Sequence, residues 1–232
     1  MSSSELVGGV RGRAGWQRAS AAAVWSDAAK RSFDVLASAS ALVLLSPLFL
    51  AIAIAVRLDS PGPVFFSHRR VGMNRRGRRE RAARHAGERR TRSAYGPEFE
   101  MLKFRTMRLE AEPYAVSPTT SEDPRITRVG RMLRRTCLDE LPQLLNVLRG
   151  EMSLVGPRPE MPFIVAGYDS VQRERLEAPA GLTGLWQVRG PRDRHIHDSI
   201  EWDLEYISTR SFRRDILILA ETLRFAFRRK NR

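Results

Sequence analysis

Two adjacent carboxylates, Asp139 and Glu140, are the residues of this sequence best suited to chemistry. They stand in the stretch TCLDELPQ, and they are accompanied by cations at Lys103, Arg134 and Arg158. Mg²⁺ binds carboxylate and phosphate oxygens, while Lys and Arg neutralise the remaining phosphate charge. A carboxylate can also attack phosphorus and carry the group as an aspartyl phosphate. The pattern therefore predicts phosphoryl chemistry, with Mg²⁺ as the cofactor held by the two acids.

A purely structural role is the alternative for these residues. Asp139 could cap a helix, Glu140 could complement the helix dipole, and Pro142 is tolerated in a first helical turn. Each cation, with Arg105 among them, could instead form a surface salt bridge. The sequence has no zinc-ligand spacing among its four His and one Cys, and it has neither a Walker-type loop nor a G-x-G-x-x-G fingerprint.

The elements that must position these groups begin with an uncharged apolar run over residues 35–56. As a helix it would be about 33 Å long at ~1.5 Å per residue, which is enough to cross a bilayer. Pro47, in the middle of the run, removes a backbone hydrogen bond, and Ser46 can donate to the carbonyl left without its donor. We therefore expect a kink at Ser46-Pro47.

Positive charge flanks the apolar run on both sides. Lys30 and Arg31 precede it, and Arg57, Arg69, Arg70, Arg75 and Arg76 follow it. Positive charge marks the cytoplasmic side of a membrane protein, so the run should enter and leave by the same face. The sequence predicts a re-entrant membrane helix over 30–58, and a straight transmembrane helix or a buried core helix are the alternatives. The residues assigned to this anchor are Lys30, Arg31, Ser46 and Pro47.

The remaining sequence predicts a flexible leader over 1–29, ahead of the membrane helix, and a cytoplasmic catalytic domain over 59–232. The stretches at 63–72 and 99–107 have bulky residues in partial alternation, which is typical of a β-hairpin. From residue 125 the spacing of apolar residues is helical, and 215–232 has the pattern of an amphipathic interfacial helix. The expected fold class is thus α+β and mainly helical. At 232 residues with 42% apolar content, the chain can bury a core.

Charge is concentrated in an insertion over 74–97. It holds nine Arg against two Glu, a net +7, which is half of the formal +14 of the chain. Such a balance predicts anionic partners. We expect this loop to lie on anionic lipid, with a nucleic-acid arm or a solvated excursion as alternatives.

Seven stretches together resemble the bacterial sugar transferase family, the monotopic polyprenyl-phosphate phosphoglycosyl transferases. Any one of them alone is unremarkable, but they occur here in the order of the family. They are KRSFD at 30–34, SP at 46–47, KFRTM at 103–107, DPRIT at 123–127, LDELPQ at 138–143, SLVGPRP at 153–159 and GLTGLWQ at 181–187. With 29 leader residues, the chain resembles the small, catalytic-core form of the family.

The resemblance implies transfer of a sugar phosphate from a nucleotide sugar, usually a UDP-sugar, to polyprenyl phosphate at the cytoplasmic face of the bacterial inner membrane. It implies that Asp139 attacks the β-phosphate and that Glu140 assists with the metal and the proton. Arg134 and Arg158 would hold phosphate and Lys103 would neutralise the diphosphate. The partners expected are the nucleotide sugar, the polyprenyl phosphate and an anionic membrane surface, with no nucleic acid.

This sequence departs from the family pattern in two places. Pro179 and Ala180 precede the GLTG stretch, where a basic residue and a proline are usual. Pro191 follows Gly190, where an arginine is usual, so that the arginine of this sequence, Arg192, comes one position later. A membrane-tethered nucleic-acid-binding protein and an inactive scaffold of a glycan assembly complex are the rival functions.

Overall fold

The computed structural model of the chain describes residues 27–74, 95–109, 123–191 and 198–230, with side chains up to residue 225. Most of the predicted leader, the centre of the Arg-rich insertion and Arg192 lie outside these ranges. The described residues are mainly helical and include two small sheets, so the mainly helical α+β class is confirmed.

A bent helix pair opens the described chain. Helix α1 (Asp27–Leu44) and helix α2 (Ser46–Asp59) meet at an angle of 62°. Pro47 has no N–H to offer the carbonyl of Val43, and the Ser46 hydroxyl donates to that carbonyl instead at 2.8 Å. The predicted kink is therefore present, and the break between the helices falls at Leu45, directly before the Ser-Pro pair. Across the described ranges no single helix has the length and apolarity to cross a membrane, whereas this bent pair does when its two helices are taken together.

The first half of α1 packs into the protein. Its buried residues, Lys30, Asp34 and Ser38, are spaced by four and so lie on one helical face. Lys30 Nζ lies 2.6 Å from Asp215 Oδ2, and Asp34 accepts a hydrogen bond from the backbone N–H of Leu154 at 3.2 Å. The N-terminal part of the predicted membrane segment is thus also part of the core.

Arg31 also has partners inside the protein. Its guanidinium donates to the carbonyls of Val147 and Leu148, at the end of a later helix. Cations near a helix C-terminus satisfy carbonyls that have no intrahelical donor. The two basic residues before the apolar run, which were assigned to the membrane anchor, therefore tie α1 to the rest of the fold.

Large apolar side chains cover the outside of the bent pair. Ile52 and Val56 of α2 are buried against Phe104 and Leu133. The opposite faces are open, with exposed fractions between 52% and 83% for Leu36, Val43, Leu44, Leu50, Ile54 and Leu58. This apolar surface contrasts with the buried polar face of α1.

A two-stranded antiparallel hairpin follows, as predicted. Strand β1 (Phe65–Val71) pairs with β2 (Glu98–Phe104), with His68 opposite Met101 and Phe66 opposite Lys103. Asn146 fixes the second strand from behind, since its amide donates to Glu100 O at 2.7 Å and accepts from Leu102 N at 3.0 Å. The end of β2, which carries Lys103, is therefore held in place by a fully buried side chain.

The rest of the fold is a set of short helices around a second small sheet. Strands β3 (Ser153–Val155) and β4 (Gly181–Thr183) are parallel. The backbones are so close that a Cβ on Gly156 would lie 2.1 Å from the Pro179 carbonyl oxygen. The helices are α3 (Arg128–Thr136), α4 (Gln143–Arg149), α5 (Pro162–Ala166), α6 (Leu185–Arg189), α7 (Ile200–Thr209) and α8 (Phe212–Lys230), with 3₁₀ turns at Leu138–Glu140 and Gln172–Glu177.

Helix α8 is amphipathic, as the sequence predicts. Asp215 and Ile218 face the core, where Tyr206 donates its hydroxyl to Asp215 at 2.9 Å. Exposed apolar residues lie on the outer side of the helix at Phe212, Ile216, Leu217 and Leu223.

Candidate active site

Asp139 and Glu140 lie on the 3₁₀ turn between α3 and α4. Cys137 ends α3 in the left-handed region, with φ 57°, and this reverses the chain before the acids. Helix α4 begins only at Gln143, and Pro142 precedes it without a side-chain capping bond. The N-cap position of α4 is Pro142, three residues after Asp139, so the helix-capping alternative for Asp139 is wrong.

Glu140 is held by two cations. Its Oε1 accepts from Lys103 Nζ at 2.7 Å and from Arg158 Nη2 at 2.6 Å, and its Oε2 accepts from Arg158 Nη1 at 3.2 Å. Burial raises the pKa of this carboxyl, but the charges and hydrogen bonds of Arg158 and Lys103 bring it well below its usual range. Glu140 is consequently ionised, and it orients both cations.

Asp139 is more buried and less tightly paired than its neighbour. It is 8% exposed, and its Oδ2 lies 4.0 Å from Lys103 Nζ, which is beyond hydrogen-bond distance. Burial raises the pKa of Asp139, and the nearby charge of Glu140 adds to this effect. The two adjacent acids therefore have pKa values shifted in opposite directions, which is typical of a site that performs acid, base or nucleophilic chemistry.

Lys103 and Arg158 reach the acids from separate elements. Lys103 is near the end of β2, and Arg158 lies in the turn after β3. The backbone carbonyl of Arg158 accepts from Arg175 Nη2 at 2.8 Å, and Arg175 in turn forms a buried ion pair with Asp203 at 2.7 Å. A rigid turn, fixed from behind by this ion pair, thus presents the Arg158 guanidinium to Glu140.

The other predicted cations have different positions. Arg134, in the last turn of α3, is near enough for its charge to lower the pKa of Asp139, but in the described part of the chain it makes no hydrogen bond to either acid. Arg105 faces away from the acids, since its guanidinium donates to the carbonyls of Val56, Pro61 and Ser60 at the end of α2.

Two further residues of the site were missed as such by the sequence interpretation. Arg70, counted there only as a flanking charge, donates to Pro159 O at 3.2 Å. Burial, followed by the charge of Arg158, lowers the pKa of Arg70 to about 10. His68 is 7% exposed on the same strand. The signal that could have found both is the alternation of β1, which puts His68 and Arg70 on one face with Phe66.

The acids have the donor set for a magnesium ion. Mg²⁺ usually takes one or two protein carboxylates and completes its shell with water and substrate phosphate. Among the described residues, no three or more His, Cys, Asp or Glu side chains form a metal cluster. Two carboxylates are the donors offered here, and a Mg²⁺ ion held by them would complete its shell with water and phosphate oxygens.

Comparison with known proteins gives a consistent answer. Residues 25–229 match the family described as bacterial sugar transferase. The chain is 40% identical over 210 residues to the exopolysaccharide production protein ExoY of Rhizobium meliloti, covering 84% of each chain. It is 40% identical over 205 residues to a UDP-glucose:undecaprenyl-phosphate glucose-1-phosphate transferase of Caulobacter vibrioides, covering 85% of this chain and 69% of the relative. The transferase of the same name from Escherichia coli is 36% identical over 206 residues, with 84% and 39% covered.

A buried carboxylate lies beside an ion-paired one, with Lys103, Arg158 and Arg134 near them, and this arrangement is of the kind that phosphate chemistry requires. The chain belongs to the bacterial sugar transferase family, and it is a phosphoglycosyl transferase. The resemblance seen in its sequence motifs is thus confirmed, and the enzyme interpretation is favoured over a nucleic-acid-binding protein or an inactive scaffold.

Proposed function

We propose that this enzyme transfers a sugar phosphate from a UDP-sugar to undecaprenyl phosphate and thereby initiates an exopolysaccharide or another surface glycan. The names of the Caulobacter and Escherichia relatives state both substrates. A relative from Aeromonas hydrophila is named for N-acetylgalactosamine instead of glucose, at 36% identity over 201 residues. The nucleotide and the lipid acceptor are therefore proposed here, and the sugar is left open.

The observation that carries the mechanism is the contrast between the two acids. Glu140 is locked by Lys103 and Arg158, whereas the Asp139 carboxylate lies 4.0 Å from its nearest cation. Asp139 attacks the β-phosphorus of the donor, an Asp139 oxygen–phosphorus bond forms, the phosphoanhydride bond breaks and nucleoside monophosphate leaves. A phosphate oxygen of the lipid acceptor then attacks the same phosphorus, which releases the lipid diphosphate sugar and restores the Asp139 carboxylate.

The cations have a defined part in this scheme. Lys103 and Arg158 neutralise the charge that develops on the phosphoryl oxygens, and Glu140 keeps both of them aimed at the site. Asp139 and Glu140 would hold the Mg²⁺ ion, which neutralises phosphate charge when it is bound. Arg134 supplies additional positive potential behind Asp139.

The bent helix pair supports a re-entrant anchor at the cytoplasmic face of the membrane. Near the start of the pair, Lys30 is bonded to Asp215, and at its end Arg105 binds the carbonyls of Val56 and Ser60. Both ends are thus attached to the same folded body, while apolar side chains cover the bend. A pair attached in this way enters and leaves the lipid from one side, which brings a water-soluble donor and a lipid acceptor to one site.

Substitution of Asp139 by Asn tests the proposal. Because burial raises the Asp139 pKa, its ionised form is disfavoured in the fold, so the neutral isostere should not lower stability. Enzyme in lipid vesicles containing undecaprenyl phosphate would be given a panel of UDP-sugars, with release of nucleoside monophosphate as the measurement. We expect release with the wild type, release also with Asp169→Asn at an exposed position, and none with Asp139→Asn. A wild type that releases nothing from any donor would refute the function, and near-normal turnover by Asp139→Asn would refute the nucleophile.

A further inference from the structure

His68 is a buried side chain of the site without a role in the mechanism above. It lies in the middle of β1, is 7% exposed, and neither of its ring nitrogens has a hydrogen-bond partner among the described residues. An unsatisfied buried polar group costs about 1–3 kcal/mol, so each one in a native structure calls for an explanation, such as a bound ligand, an ordered water or a catalytic role. The part of the chain that the structure describes thus leaves both ring nitrogens unused.

The surroundings of His68 place it beside the cations that handle phosphate. On β1 it shares a face with Phe66 and Arg70, and Phe66 is the partner of Lys103 on β2. The charges of Arg70, Lys103 and Arg158 all act on the imidazole, and so does that of Glu140. The ring therefore lies on the same face of the hairpin as Lys103 and within electrostatic range of the cations beside the acids.

His68 is neutral in this environment. Burial, followed by the three neighbouring cations, lowers the pKa of His68 to about 3. A neutral imidazole has one N–H donor and one acceptor nitrogen, so it can bond to a phosphate oxygen without adding another charge to the cluster. Phe66 packs beside it with ring centroids 5.5 Å apart, which leaves the nitrogens as the unsatisfied part of the ring.

We propose that His68 is a binding residue for the nucleotide-sugar donor and that its ring N–H donates a hydrogen bond to an oxygen of the donor diphosphate. This inference rests on the proposed function, because it takes the diphosphate to lie between Lys103 and Arg158. The diphosphate is the part of the donor that must approach these two cations for Asp139 to reach phosphorus. The bond would satisfy an atom that the fold alone leaves without a partner.

Kinetics of matched variants test the proposal. His68→Phe keeps a ring of similar size and removes both nitrogens, His68→Gln keeps an N–H donor, and Ser67→Ala is a control at the next, outward-facing position of the strand. A hydrogen bond to a charged group corresponds to a loss of about 10- to 150-fold in kcat/KM for the donor. We expect that loss in His68→Phe with an unchanged KM for undecaprenyl phosphate, partial recovery in His68→Gln and no change in Ser67→Ala.

A spectroscopic measurement on the wild type tests binding directly and needs a variant only for the assignment of the signal. The chain has four His, so ¹⁵N-histidine labelling gives a spectrum in which His68 is assigned by its loss in His68→Gln. Addition of UDP should shift a His68 ring nitrogen, and UMP should shift it less. The inference is overturned if UDP leaves this signal unmoved, or if His68→Phe retains donor kcat/KM within twofold or changes only the acceptor KM. Because UDP binding is measured without turnover, this result is separable from failure of the transfer reaction itself.

Discussion

Replacing Arg158 by methionine should leave Glu140 with one counter-ion instead of two. The substitution removes the hydrogen bonds of 2.6 and 3.2 Å and leaves only Lys103, at 2.7 Å. Breaking a buried ion pair costs about 3–5 kcal/mol. Here the two side chains are 26% and 21% exposed and Lys103 remains, so solvent and the second cation compensate in part. We expect a loss of about 2–3 kcal/mol in the free energy of unfolding.

A double-mutant cycle isolates the pair from the loss of packing. Urea unfolding in detergent would be measured for Arg158→Met, Glu140→Gln and the combined variant, and the coupling energy should be about 2 kcal/mol. Arg69 and Glu100 provide a control pair on the outer face of the same hairpin, 3.6 Å apart and 66% and 54% exposed. Such an exposed pair should couple by less than about 1 kcal/mol. If the two coupling energies were equal, the arrangement of Glu140 described above would be refuted.

Three other perturbations have expected results. Thr127→Ala should cost about 1 kcal/mol of unfolding free energy, because the hydroxyl accepts the Gly130 N–H at 2.9 Å as the N-cap of α3. Asn146→Leu should cost about 2–4 kcal/mol, since two backbone groups of β2 lose their partner. The acid limb of the pH–kcat profile should lie above the usual Asp value of 3.8, because Asp139 must be ionised to attack and burial raises its pKa. Lys103→Met should move that limb to higher pH, because the charge of Lys103 lowers the same pKa.

Each of these results has a matched comparison. Thr136→Ala is the control for Thr127→Ala, because the Thr136 hydroxyl donates to carbonyls within α3 and caps no helix. It should change the free energy of unfolding by no more than about 0.5 kcal/mol. Equal losses for Thr127→Ala and Thr136→Ala would contradict the capping assignment. A loss below about 1 kcal/mol for Asn146→Leu would mean that the amide does not bridge the strand. An acid limb at or below 3.8 would remove Asp139 from the role of ionised nucleophile.

The parts of the fold that were predictable are those with a local physical cause. The missing N–H of Pro47 identifies the break in the apolar run, and Ser46 donates to the carbonyl expected to be left free. Alternation and bounding Gly and Pro identify the hairpin. Lys103 and Arg158 reach the acids from distant positions in the chain. They were identified only by their charge and by the order of the family motifs.

The parts that were missed depend on tertiary contacts. Strands β3 and β4 have three residues each, too few to show a period, and their parallel pairing joins segments 28 residues apart. Arg105 has the same charge as Lys103 and is two residues away, but it lies just past the end of β2, and its guanidinium binds carbonyls at the end of α2 instead of the acids. The partners of Lys30 and Arg31 come from residues more than a hundred positions away, which no local pattern reveals.

Helix α1 supplies the counter-ion of Asp215, a carboxylate with no exposed surface, and it binds the end of α4 through Arg31. Truncation of the chain ahead of the hairpin, the usual route to a water-soluble fragment, would leave that carboxylate in the core without its counter-ion and with only the Tyr206 hydroxyl as a partner. Burying an unpaired charge costs several kcal/mol, a large fraction of the stability of a domain of this size. Preparations for structural and kinetic work should therefore retain both helices of the bent pair and supply detergent or lipid from the first step.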